Sequence, residues 1–273
     1  MMQRLFLLTL VSWATLLLGA QNATDSLGLP PSRSVRSTTL LGTGTAHLFD
    51  AYLSPLDYTG LSTSITQLSD RRLSWWKGRV SQQRLASLHL AQTSNQAQTA
   101  TLYDLEGSLA LAYHYHFLPL RSLRLSMGPM LGLHAGGSYA TRNGNNPAQG
   151  RLALDLSLSL RADYRFRLLR QTWRWHSQLD MPLQGLMFAP HFGQSYYEIF
   201  GLGHGQRTVA FTTPFNAPSL RLISTLSLPL WRGQFSLGIQ SHIRQSLVHD
   251  LGRHAWHHHL VLGYTRTLQH LDP

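Results

Sequence analysis

The sequence predicts an all-β fold, an antiparallel up-and-down transmembrane β-barrel of ten strands, with twelve as the alternative. Three observations carry this reading. Apolar and polar residues alternate with a period of two along most of the chain. The alternating runs are long, and the connections between them alternate between short and long. Charged residues make up only 13% of the 273 positions, about half of the ~25% usual in soluble domains. So little charge excludes a coiled coil and a charge-rich disordered tail. After the first twenty residues no apolar run approaches the ~20 that a spanning helix needs. With no cysteine, disulfides, zinc–thiolate sites and thiol nucleophiles are excluded.

Taken in order, residues 1–20 read as a secretory signal peptide. Arg4 supplies its positive region, Leu5 to Leu18 its apolar stretch and Gly19-Ala20 the small residues before a cut. Residues 21–35, with Pro30-Pro31, read as a flexible periplasmic lead-in. The barrel is expected over 36–268, followed by a tail at 269–273. Its clearest strand runs from Gly150 to Arg167, where Leu152, Leu154, Leu156, Leu158 and Leu160 alternate with Ala153, Asp155, Ser157, Ser159 and Arg161. A strand this long with one greasy face suits a bilayer better than a soluble sheet, whose strands average ~5–6 residues. Similar alternation covers 103–117, 123–134, 173–183, 220–230, 235–244 and 257–268, and three looser runs lie near 36–49, 60–74 and 79–92. Short turns are expected at 118–120, 168–171 and 231–233, and external loops at 140–150, 189–217 and 245–255. Aromatic residues near strand ends (Tyr164, Phe166, Trp173, Trp231, Trp256, Tyr264) suit the girdles of such a barrel. The stretch 189–217 is long enough for a further hairpin, 195–202 with 206–213, which would give twelve strands. Its Ala189-Pro190 and three closely spaced glycines favour a loop.

The formal charge is +11, and all the basic residues but Lys77 are arginines, scattered through the periodic runs. Arginine suits burial beside carboxylates and bidentate phosphate contact. For an exported chain the expected counter-charges are therefore outer-membrane lipid and acidic groups inside the fold, and nucleic acid is not an expected partner. The inward faces would carry Asp104, Glu106, Asp155, Asp163 and Asp180 against Arg124, Arg161, Arg165, Arg174, Arg221 and Arg244. An enzyme reading would pair Asp155 with Asp163, or Glu106 with His116, as acid and base. Lumen filling by mixed charge explains the same residues more simply.

Two features suggest binding. His257 and His259 share a face, and a register placing His242 opposite His257 keeps all three inward, the makings of an open zinc site. No carboxylate lies at ligand spacing and His258 points the other way, so an exposed polar cluster near the outer rim is expected, with no metal or cofactor. In the loops, Arg142, Asn143, Asn145 and Asn146 can bind carbohydrate or phosphate, although turn chemistry accounts for them too. Tyr196, Tyr197 and Glu198 stand in the longest loop, where binding residues concentrate.

Three motifs give the chain a resemblance to a known family: Tyr113-His114-Tyr115-His116-Phe117, the loop TRNGNNPAQ at 141–149, and GQSYYEIF within 187–200. Over roughly 36–268 the chain resembles a Bacteroidota outer-membrane barrel family of unknown function, the DUF3316 group. The even strand count puts both termini in the periplasm, and the resemblance implies a bacterial outer-membrane location while bringing no catalytic residues. The functional expectation is a non-enzymatic barrel, a surface-binding, structural or small-transport element whose partners are outer-membrane lipid and an extracellular ligand or surface protein. The alternative is an outer-membrane hydrolase of lipid or peptide, with Ser195 beside Glu198 or a histidine at the extracellular rim.

Overall fold

The computed structural model describes residues 34–269 apart from 145 and 204. The predicted signal peptide lies outside the described residues, as do most of the lead-in and the end of the tail. Eleven strands form one antiparallel sheet. They are β1 (Ser34–Asp50), β2 (Ser54–Leu73), β3 (Val80–Asn95), β4 (Thr101–Phe117), β5 (Leu123–Ala140), β6 (Ala148–Leu168), β7 (Gln171–Phe188), β8 (Val209–Thr212), β9 (Ser219–Leu230), β10 (Gly233–Val248) and β11 (Leu251–Gln269). Neighbours in sequence pair except β8 with β9, and β1 pairs with β11 from Ser34↔Gln269 to Asp50↔Arg253, which closes the sheet into a barrel.

The wall has ten strands, because β8 and β9 lie one above the other along the same edge of β7. Gly185–Phe188 pair with Val209–Thr212, and Arg174–Asp180 pair with Arg221–Ser227. Residues 213–218 bulge out between them, and the Leu247 N–H donates to Asn216 O at 2.7 Å across the gap. The hairpin of the twelve-strand alternative therefore does not form. Residues 209–212 are a strand whose partner is β7, while Tyr197–Gly201 is a helical turn.

The two ends of the barrel differ. At the end holding Ser34 and Gln269 the turns span 74–79, 118–122, 169–170 and 231–232; the opposite end carries 51–53, 96–100, 141–147, 189–208 and 249–250. One expected loop is corrected. Residues 245–255 are not a loop, because β10 continues to Val248 and β11 begins at Leu251. His249 and Asp250, with φ of 51° and 60°, make a two-residue turn, the backbone twist that tight hairpins require.

Leucine parity is as the alternation implies. Leu152, Leu154 and Leu156 face outward and Ala153, Asp155 and Ser157 are buried inside. On β7 the parity shifts at Pro182, where β6 residues Leu156 and Ser157 face Gln184 and Pro182 and Leu183 is the extra residue. Proline has no N–H for the ladder, so a bulge sits naturally there. Aromatic clusters bound the outward belt at the end holding Ser34 and Gln269, with Trp75 stacked on Tyr113, Trp76 edge-on to Tyr115, and Tyr164 against Phe166. Tyr103 marks the other side on β4. Ten residues separate it from Tyr113, about 33 Å along the strand and about 25 Å after a ~40° tilt, the height of a transmembrane belt.

Candidate functional site

Small inward residues and long polar ones divide the lumen into tiers. Near the end bearing the long loop, Leu48, Leu53, Tyr58, Ala91, Leu102 and Ala140 pack into an apolar cap under the β1–β2 turn. Beside and beneath it lies an upper polar tier of Asp50, Asp104, Glu106 and Asp155 with Arg151, Arg244 and Arg253, together with His89, His134, His242, His257 and His259. In this tier Asp50 and Arg253 pair on the rim side of Leu48 and Ala255. A waist follows, built on Leu40, Leu68, Leu85, Ile223 and Val261. The lower tier holds Asp70 and Asp163 with Arg36, Arg124, Arg161 and Arg174.

Direct bonds across the barrel close the waist. The amides of Gln83 on β3 and Gln178 on β7 bond each other in both directions, at 3.0 and 2.8 Å. Thr66 on β2 and Gln240 on β10 do the same, at 3.2 and 3.0 Å. Arg221 donates to Asp180 at 2.8 Å and reaches the Met130 sulfur on β5 at 3.1 Å. Side chains from opposite walls thus meet in the middle, as the small circumference of ten strands allows.

The lower tier is paired at short range. Arg161 reaches from β6 to Asp70 on β2 at 2.7 Å, and Arg124 donates to Asp163 Oδ2 at 2.7 Å. Arg174 and His176 share the other oxygen of Asp163. Asp155 and Asp163, the first acid–base pair suggested by sequence, lie eight residues apart on β6 in different tiers, so they do not meet. Glu106 and His116 stand ten residues apart on β4, and His116 is held by Ser81 and Ser126 at 2.9 and 2.7 Å.

In the upper tier the inward histidines form one stack. His257 lies opposite His242 in the β10–β11 register, as the inward reading required. The cluster is not exposed at the rim; it is buried, because the apolar cap and the strand ends above it cover the lumen. His89, absent from the sequence candidates, sits at its centre, with ring centroids 4.8 Å from His242, 5.4 Å from His257 and 5.5 Å from His259. A carboxylate is present after all. Glu106 Oε1 lies 3.8 Å from His134 Nδ1 and 3.9 Å from His242 Nδ1. His258 faces outward and meets Ser241 at 3.0 Å.

The loop candidates brace the rim. Arg142 donates to Thr99 Oγ1 and Asn143 to Leu53 O, each at 3.0 Å, tying 141–147 to the two neighbouring turns. The Asn146 N–H donates to Asn143 Oδ1 at 3.0 Å, and Asn145 lies outside the described residues. Tyr196 pins the long loop to β6. Its hydroxyl accepts from the Gly150 N–H at 2.6 Å, just above Ala153, where β6–β7 pairing stops. Tyr52 OH donates to Gln194 O at 2.8 Å. Burial pushes both phenols up from their ordinary value, so both remain O–H groups at neutral pH. Ser195 and Glu198 do meet, but as a capping box. The Ser195 N–H and Oγ–H both bond Glu198 Oε2, at 2.7 and 2.9 Å, and the Glu198 N–H donates to Ser195 Oγ at 3.2 Å. That arrangement starts the helical turn Tyr197–Gly201. The turn leaves Tyr197 and Phe200 exposed, as Phe192 and Phe215 are elsewhere in the segment.

The family described as "Protein of unknown function (DUF3316)" matches residues 4–273, and the chain belongs to it. No curated protein matches the sequence. Among solved structures the barrel resembles the outer membrane protease OmpT from Escherichia coli, with 9% identity, a TM-score of 0.50, and coverage of 90% of this chain and 100% of that one. It also matches the transport unit of the autotransporter AIDA-I from Escherichia coli (7% identity, TM-score 0.48, covering 96% and 97%). A third match is the COG4313 outer membrane channel from Pseudomonas putida F1 (10% identity, TM-score 0.32, covering 91% and 100%). At these identities the likeness is one of fold.

Proposed function

We propose that this DUF3316 barrel is a closed, non-conducting outer-membrane protein that acts through its outer rim. The observation that carries this reading is the waist, where Gln83–Gln178 and Thr66–Gln240 bond wall to wall across the lumen. The outward leucine belt between aromatic clusters supports a bilayer position. The long-loop end is then extracellular, with both termini in the periplasm behind a cleaved signal peptide. At the rim, Phe192, Tyr197 and Phe200 are 70–79% exposed on a loop that Tyr196 and Tyr52 hold in place. Rigid, exposed aromatics of this kind serve as anchors for an extracellular ligand or surface protein. The hydrolase alternative loses its main support, because Ser195 and Glu198 are engaged in starting a helical turn.

Two measurements test the reading. The purified barrel in a planar bilayer should stay electrically silent, and stable conductance of porin size would overturn the closed waist. In intact cells, single cysteines at 143 and 197 should react with an impermeant maleimide, whereas cysteines at 170 and 232 should not. The opposite labelling pattern would invert the orientation.

A further inference from the structure

We infer that His89, His257 and His259 form a binding site for a divalent transition-metal ion of the zinc type, inside the upper lumen. One nitrogen from each of the three imidazoles lies within 4.8 Å of the others. All three side chains are buried, at 0%, 1% and 3% exposure. Three neutral imidazoles with one position left open are an established zinc donor set.

Hydrogen-bond accounting points the same way. Both ring nitrogens of His89 lack a partner, as do Nε2 of His257 and Nδ1 of His259. A buried imidazole with neither nitrogen engaged is costly and needs an explanation. Ser62 meets the other nitrogens, His257 Nδ1 at 3.0 Å and His259 Nε2 at 2.9 Å. Its single proton goes to Leu90 O at 3.1 Å. Ser62 Oγ therefore accepts N–H bonds from both rings, which leaves basic lone pairs on the two unpartnered nitrogens. Fixing the tautomer from behind in this way is what the outer partner of a metal-bound histidine does.

The wall makes room for the rings. Between β11 and β2, the inward positions of β1 at this level are Gly42 and Gly44, paired with Val261 and His259. A Cβ at Gly42 would press on Ser64 Oγ and on the Cβ of His259. The surrounding charge also suits a cation. The tier sets Asp50, Asp104, Glu106 and Asp155 against Arg151, Arg244 and Arg253, a surplus of carboxylate while the histidines are neutral. Asp104 Oδ2, itself without a hydrogen-bond partner, lies 3.9 Å from His257 Nε2. The neighbouring group of Glu106, His134 and His242 is the weaker candidate. Arg244 Nε lies 3.6 Å from Glu106 Oε1 and Arg253 Nη2 lies 3.6 Å from Oε2, so guanidinium charge already occupies that carboxylate.

The test uses the full barrel, refolded in detergent after chelation, with Zn²⁺ and Co²⁺ as probes. Wild type should retain about one Zn²⁺ per chain after dialysis, and Co²⁺ should give the visible absorption of nitrogen-bound tetrahedral cobalt. H89Q and H259Q should each lose both signals, while H258Q, altered at the outward neighbour, should keep them. Heat-modifiable migration on SDS gels identifies the folded variants. If H89Q does not fold, S62A provides a second probe, and its zinc affinity should fall ~10–100-fold for a lost outer partner. Folded wild type that retains no zinc would overturn the site and leave ordered water as the partner of these nitrogens. Full retention in folded H89Q and H259Q would overturn it too, as would loss confined to H134Q or H242Q.

Discussion

The lower and upper tiers of the lumen are made from the same residue types and solve opposite problems. Below the waist, Arg124, Arg161 and Arg174 hold Asp70 and Asp163 through direct bonds, with Arg36 an additional cation in the tier. Above it, Glu106 stands 3.6–3.9 Å from Arg244, Arg253, His134 and His242. Both nitrogens of His89, Nε2 of His257 and Nδ1 of His259 have no hydrogen-bond partner. Buried charges tolerate their surroundings only when paired and hydrogen-bonded. In the lower tier both carboxylates meet that condition. In the upper tier Arg151 and Arg244 hold Asp104 and Asp155 directly, but Glu106 and the His89 group are left without a close partner.

Breaking one carboxylate in each tier should expose this contrast. Asp163→Ala leaves Arg124, Arg174 and His176 facing one another and should cost about 3–5 kcal/mol, read as a lower urea midpoint of the folded barrel. Glu106→Gln, which gives up contacts no shorter than 3.6 Å, should cost less than half as much. Equal losses would mean that the tiers are equivalent. The waist is the next test. Gln83→Ala alone should cost about 1–3 kcal/mol by stranding the Gln178 carbonyl oxygen, and Gln83→Ala with Gln178→Ala should cost no more than that. The double variant should also be the first to admit small-ion current in a planar bilayer. The smallest effect belongs to the rim. Tyr196→Phe removes the bond to Gly150 and should cost about 0.5–1.5 kcal/mol, visible as faster proteolysis within 189–208 and no change in the lumen.

Alternation revealed the wall because the period of two is local and survives without knowledge of the partners. It failed where both faces of a strand are polar. Ser246, Gly252, Arg253 and His254 read as loop, yet they continue β10 and β11 beyond the greasy belt, where outward positions no longer need to be apolar. The pattern therefore marks the edge of the belt and not the end of the strand. Ser195 to Glu198 did carry a legible signal, since serine followed three residues later by glutamate is the spacing of a capping box. His257 and His259 were legible as a pair because they share a strand face. His89 was not, because its approach to them depends on how the wall curves across β1 and β2.

The β1–β11 seam has a consequence for assembly. Seventeen residue pairs, from Ser34↔Gln269 to Asp50↔Arg253, join strands more than two hundred positions apart in sequence. Until Leu251–Gln269 has been made and threaded into place, β1 presents an open edge. Such an edge can pair with any other chain, and closure over so long a separation is slow. His257 and His259 arrive with the strand that shuts the ring, so the upper lumen is completed in the same event that removes the last free edge.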